Sequence, residues 1–185
     1  KMHIFSREVC EGFFAQKIIL VEGVTDKAIL EGFYAAHGRN PISDGIAIIQ
    51  MDGKSKMDKP FHIFKKLGIP VFVVFDSDAS KNENNQKTSI NLILQTLADS
   101  SKPEEFPDGC FSQFSAFKYN LESYVKDVVG DKYDAFFKEV SENYGLSYKE
   151  VFKTPAAISI VLSKCRDEGV PISRFDEIIA AVDAL

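Results

Sequence analysis

Two acidic patterns in this chain stand where a sheet protein could do chemistry. Glu22 follows the β-prone apolar run 18–21 and precedes Gly23. Beyond the glycine, Thr25 or Asp26 can cap a helix whose apolar face begins with Ala28, Ile29, Leu30 and Phe33. The second pattern is Asp76-Ser77-Asp78, directly after the apolar run 71–75. Two residues apart, Asp76 and Asp78 can point to the same side, and Asp26 can reach in from the first helical turn. Like charges about 4 Å apart repel by about 4 kcal/mol at an effective dielectric near 20. Such a group persists by sharing protons or by binding cations. Carboxylate oxygens without histidine or thiolate favour Mg²⁺ or Mn²⁺. The plainer alternative is that these are solvated acids at strand ends; Asp26 and Asp78 could each simply cap a helix.

The elements that must bring these acids together can be read in order. Residues 1–16 form a lead-in with Phe5, Val9, Phe13 and Phe14 at near-helical spacing. A strand over 18–21 and a helix ending near His37-Gly38 follow. A loop over 39–45 leads to a second strand, 46–50, and a turn, Met51-Asp52-Gly53-Lys54-Ser55. A helix over 59–67, beginning at Pro60 and ending at Gly68, precedes the third strand, 71–75. This strand is three valines and two phenylalanines, which predicts cover on both faces. Residues 79–89 read as an exposed polar loop, and 90–98 as a helix. The alternating segment 110–117 predicts a fourth, half-exposed strand. Helices are expected over 122–129, 131–144, 155–167 and 173–183.

This alternation means α/β architecture: a Rossmann-like parallel sheet flanked by helices, with right-handed crossovers. The expected organisation is a lead-in (1–16), an α/β core (17–120) and a C-terminal helical annex (121–185). Strand order 2-1-3 would make the first and third strands neighbours. Glu22 and Asp76 would then meet at the carboxyl edge, where ligands bind in such sheets.

Bulk properties narrow the class. The chain has 185 residues, of which 45% are hydrophobic. No apolar run approaches the roughly 20 residues of a membrane helix, and no secretory signal is evident. Lys1 in place of an initiator Met suggests an excised piece. Cys10, Cys110 and Cys165, like His3, His37 and His62, lack metal-ligand spacing. Reduced thiols and a cytoplasmic location are expected. The net charge of −5 argues against a dedicated basic nucleic-acid surface, so a polyanion partner would have to be met by cations or local lysines. Lys54, Lys56, Lys59, Lys65 and Lys66 cluster near the second crossover. Lys54 and Ser55 are the candidate phosphate contacts.

The segments VEGVTDKAIL, MDGKSKM and VFVVFDSD resemble a Toprim domain, the metal-dependent catalytic fold of topoisomerases, primases and certain nucleases. EGFFAQKIILVEG and YNLESYV resemble, more narrowly, the OLD-family (overcoming lysogenization defect) endonucleases, in which a Toprim domain follows an ABC-type ATPase domain. The resemblance implies that Glu22, Asp26, Asp76 and Asp78 are catalytic metal ligands. It adds Glu122 as a later acid completing a second metal site. Lys164 is its candidate late basic residue at the scissile phosphate, with Lys153 as competitor. It further implies two divalent ions, Mg²⁺ or Mn²⁺, DNA as substrate, and an N-terminal ATPase domain in the full-length protein.

Three other readings compete. Gly53-Lys54-Ser55 resembles the end of a phosphate-binding Walker loop, but position 48 is Ile rather than the required Gly. VVFDSDAS also resembles the first motif of haloacid-dehalogenase-type phosphatases, with Asp76 as nucleophile and Asp78 as acid/base. A non-catalytic, Mg²⁺-binding receiver-like module is the third. Tyr119 and Tyr124 read as packing residues rather than topoisomerase nucleophiles.

Overall fold

The structure is a computed structural model that describes residues 6–79 and 85–185. Phe5 and residues 80–84 of the expected polar loop lie outside the described residues. The elements run α1 (Arg7–Gly12), β1 (Lys17–Val21), α2 (Val24–Ala36), β2 (Ile46–Gln50), α3 (Asp58–Lys66), β3 (Val71–Asp76) and α4 (Asn85–Leu97). A short pair, β4 (Gly109–Cys110) and β5 (Phe114–Phe117), follows. The rest is helical: α5 (Leu121–Val129), α6 (Tyr133–Tyr144), α7 (Tyr148–Lys153), α8 (Pro155–Asp167) and α9 (Ser173–Asp183).

Among the described residues the strands form one sheet in the order β2-β1-β3-β5-β4. All neighbours are parallel except β4 and β5. The 2-1-3 order expected from the sequence is therefore present. Side-chain alternation divides the sheet into two apolar faces. Ile19, Val21, Phe72 and Val74 pack on one side with residues of α2 and α5 to α9. Ile18, Leu20, Val71, Val73 and Phe75 pack on the other with α1, α3 and α4.

Several expectations are corrected. The segment 110–117 is two strands rather than one, and β5 is buried throughout rather than half-exposed. It lies inside the sheet between β3 and β4, so its Ser115 is enclosed and donates to the Gly109 carbonyl at 3.2 Å. The helix α4 begins at Asn85, inside the stretch read as loop. α3 begins two residues before Pro60, placing the proline in the first turn, where its missing N–H is tolerated. α7 was not anticipated. A Ser147–Glu150 capping box starts it and Pro155 opens the next helix, so it is only six residues long, too short for apolar periodicity to stand out.

The helices after Asn120 pack closely on the sheet. α8 crosses α2 at Gly32, where an added Cβ would stand 2.5 Å from Ile158 Cγ2 and 3.0 Å from the Pro155 carbonyl oxygen. At the C-terminus, Lys17 Nζ donates to the Val182 and Asp183 carbonyls at 2.9 and 2.7 Å, and Arg39 forks onto the Asp183 carboxylate. No helix among the described residues is long and apolar enough to cross a membrane.

Candidate metal centre

The acids gather at the carboxyl ends of β1 and β3, which lie side by side. Glu22 Oε1 accepts the backbone N–H of Asp76 at 2.8 Å. The two residues, distant in sequence, thus meet as the strand order requires. Asp26 lies in the first turn of α2, whose N-cap is Gly23. Its Oδ2 reaches back to accept the Gly23 N–H at 2.9 Å, the acidic half of a capping box. Asp76 Oδ1 accepts the Leu121 N–H, an amide at the start of α5, at 3.1 Å. The α5 terminus is itself set by Asn120, whose side chain accepts the Ser123 N–H at 2.7 Å. A carboxylate has about four lone-pair sites, so these backbone bonds fix the side chains and leave capacity for a cation.

Burial and mutual repulsion make the group electrostatically uncomfortable. Asp76 is pushed up to about 8, mainly by burial and then by the charges of Asp26 and Glu22. Asp26 is pushed up to about 7 by burial, with Glu22 and Glu122 adding to the shift. Glu22 is also raised by burial, although the Asp76 N–H and the Lys54 charge oppose the shift. Asp26 and Asp76 therefore hold protons near neutrality unless a cation takes their place. A donor set made wholly of carboxylate oxygens fits a hard divalent ion such as Mg²⁺ or Mn²⁺. Among the described residues no three His, Cys, Asp or Glu side chains are already grouped as a ligand cage. The acids are neighbours held by backbone amides rather than a preassembled shell.

Asp78 departs from the expected arrangement. It does not share the orientation of Asp76: its Oδ2 lies 2.9 Å from Lys54 Nζ, while Asp76 faces α5. Its backbone is left-handed, with φ of 58°, a conformation that aspartate tolerates better than most residues. Lys54, expected as a phosphate contact, is instead buried, at 6% exposure. Its ammonium also donates to the Asp76 carbonyl at 2.6 Å. The reason is topological. The turn after β2 crosses the end of β1, with the Gly53 N–H donating to the Glu22 carbonyl at 2.8 Å, and delivers Lys54 to the loop after β3. Ser55 beside it is exposed.

Glu122 is exposed in the first turn of α5 and acts on Asp26 through its charge. Lys164 lies on α8, pairs with Glu139 of α6 at 2.6 Å and sits over the Phe136 ring. Its ion pair thus joins two helices rather than linking it to the acids. Lys153 is exposed at the end of α7.

Sequence reasoning missed the polar support beneath the Asp76–Asp78 loop. Buried Asn91 donates to the Ser77 and Glu105 carbonyls at 3.0 and 2.8 Å. Ser77 Oγ donates to the Pro107 carbonyl. Buried Gln95 donates to the Glu104 carbonyl and accepts its N–H, at 2.7 and 2.9 Å. The available signal was two amides on α4 one helical turn apart. Nothing local indicated that they hold the loop over 99–108 against the acid-bearing one.

Residues 13–78 match the family described as overcoming lysogenization defect protein-like, TOPRIM domain. No curated protein matches the chain. Among solved structures, the C-terminal region of the Burkholderia pseudomallei OLD protein superposes with a TM-score of 0.61 at 14% identity, covering 93% of this chain and 98% of that one. The C-terminal region of the Xanthomonas campestris pv. campestris OLD protein gives a TM-score of 0.59 at 13% identity, covering 93% and 97%. Residues 13–78 thus match the OLD-like Toprim family model, in a chain whose fold is that of the OLD C-terminal regions.

Proposed function

We propose that this chain is the metal-dependent nuclease module of an OLD-type protein, hydrolysing phosphodiester bonds of DNA. The observation that carries this reading is the contact of Glu22 with the Asp76 backbone, with Asp26 alongside and all three carboxyls raised by burial. Glu22, Asp26 and Asp76 would hold Mg²⁺ or Mn²⁺, and Glu122 is placed to approach from α5. A bound divalent ion supplies a more acidic water and charge stabilisation at the leaving oxygen. The family resemblance supports two such ions. This chain's own residues contribute the positioning: backbone amides fix each acid, and the amides of α4 hold the loop between Asp76 and Asp78.

The net charge of −5 is reconciled with a DNA partner if the cation meets the phosphate and exposed lysines at the same edge assist. Lys56 after β2 and Lys118 after β5 are exposed there. Lys164 would have to leave Glu139 to serve a phosphate. The solved relatives are C-terminal regions of OLD proteins, which supports further chain N-terminal to this one; the family resemblance makes that an ATPase domain, and a cytoplasmic location goes with it. The phosphatase reading is disfavoured because Asp78, its acid/base, is tied to a buried ammonium.

The test is nicking of supercoiled plasmid DNA with Mg²⁺ or Mn²⁺. Wild type should nick and Asp76→Ala should not, while Cys10→Ala should remain active. Full nicking by Asp76→Ala would end the proposal. Release of phosphate from small monoesters without nicking would instead favour the phosphatase.

A further inference from the structure

The buried pair of Lys54 and Asp78 is left unused by the metal-centre reading. The two side chains are only 7% and 9% exposed. Removing two charges from water is costly, and breaking such a pair strands a buried charge. An Mg²⁺ ligand must approach to about 2.0–2.1 Å. A dication on Asp78 would share its carboxylate with the ammonium 2.9 Å from Oδ2, or displace Lys54. Lys54 has a second hold, the 2.6 Å bond to the Asp76 carbonyl. Its charge also acts on Glu22. The ammonium therefore stands inside the acidic group, between the ends of β1 and β3.

We propose that Lys54 is a built-in counter-cation standing in for a second divalent ion, and that Asp78 is its anchor rather than a metal ligand; this rests on the metal-centre reading above. The site then takes a single divalent ion, through Glu22, Asp26 and Asp76, where the family resemblance implies two. Lys54 is a positioning residue: it holds the Asp76 main chain while the Asp76 side chain remains available to the ion. The left-handed backbone at Asp78 fits the same role, because it turns that carboxylate toward Lys54.

Mn²⁺ uptake, counted by electron paramagnetic resonance, tests this without relying on activity. Wild type should take up one Mn²⁺ per chain. Asp78→Asn should also bind one, with a dissociation constant raised no more than about tenfold, as for a residue acting through a ligand. Asp76→Asn should lose the ion. Lys54→Met removes the ammonium from Asp78 and should raise uptake to two. Two ions on wild type, none on Asp78→Asn, or one on a folded Lys54→Met would overturn the proposal while leaving the metal centre standing. If Lys54→Met does not fold, wild type and Asp78→Asn decide. No Mn²⁺ on wild type would overturn both readings.

Discussion

The carboxylate of Glu22 accepts the main-chain N–H of Asp76 at 2.8 Å, so the acid past β1 fixes the height of the acid that ends β3. The two roles of Glu22, acceptor and charge, can be separated. Glu22→Gln retains an acceptor oxygen and should stay within about 1 kcal/mol of wild-type stability. Glu22→Ala leaves the Asp76 amide unpaired and should cost about 1–3 kcal/mol. Both should lose plasmid nicking if Glu22 is a ligand as proposed, since both remove its charge. Denaturant titration beside the nicking assay checks this, and full nicking by either variant contradicts the ligand role.

The raised acids make a signed prediction for pH. Asp76 at about 8 and Asp26 at about 7 lie above their ordinary 3.8. Between these limits the folded chain binds more protons than the unfolded one, so stability falls as pH rises. The loss runs from about pH 4 to about pH 8 and then levels off. The thermal midpoint of metal-free protein should therefore be lower at pH 8 than at pH 6. Excess Mg²⁺ should shrink that difference by replacing the protons. A metal-free midpoint that climbs from pH 6 to pH 8 would show that these acids are not the strained groups described.

Asn120 caps α5, and the adjoining Leu121 amide holds Asp76. Asn120→Ala should cost about 1 kcal/mol of stability. It should also weaken Mn²⁺ binding by about tenfold, the lower end for a change behind a ligand. Calorimetric Mn²⁺ titration with a denaturation curve reads both; unchanged affinity would mean that the α5 terminus does not position Asp76.

Gly32 lets α8 lie against α2. Gly32→Ala would place a methyl group 2.5 Å from Ile158 Cγ2 and 3.0 Å from the Pro155 carbonyl. Backbone cannot give way as a side chain can, so the helices must separate, at about 1–3 kcal/mol. A thermal midpoint equal to wild type would refute that close approach.

The sheet was legible because its strands are apolar on both faces and are punctuated by glycines and prolines. Residues 71–75 could be little else, and the 2-1-3 order brought Glu22 to Asp76. What escaped was set by tertiary contact. Ser115 looks like an exposed position, yet its hydroxyl is satisfied inside the sheet. Lys54 looks like a surface lysine, because no local pattern reveals that the turn after β2 crosses β1 to reach Asp78. Likewise, Asp-x-Asp spacing suggests a shared direction, whereas the left-handed backbone at Asp78 separates the two carboxylates.

Ile29, Leu30 and Phe33 of α2 share one apolar layer with Ile158, Val161 and Leu162 of α8 and with Phe175 and Ile178 of α9. Asp26 rides on the same rod as those α2 residues. Shortening the polypeptide after Asn120 would leave that rod half-naked in water and unmoor the acid it carries. The tail of the chain is thus the buttress of the candidate metal centre, and trimming it away would loosen the helix on which Asp26 stands.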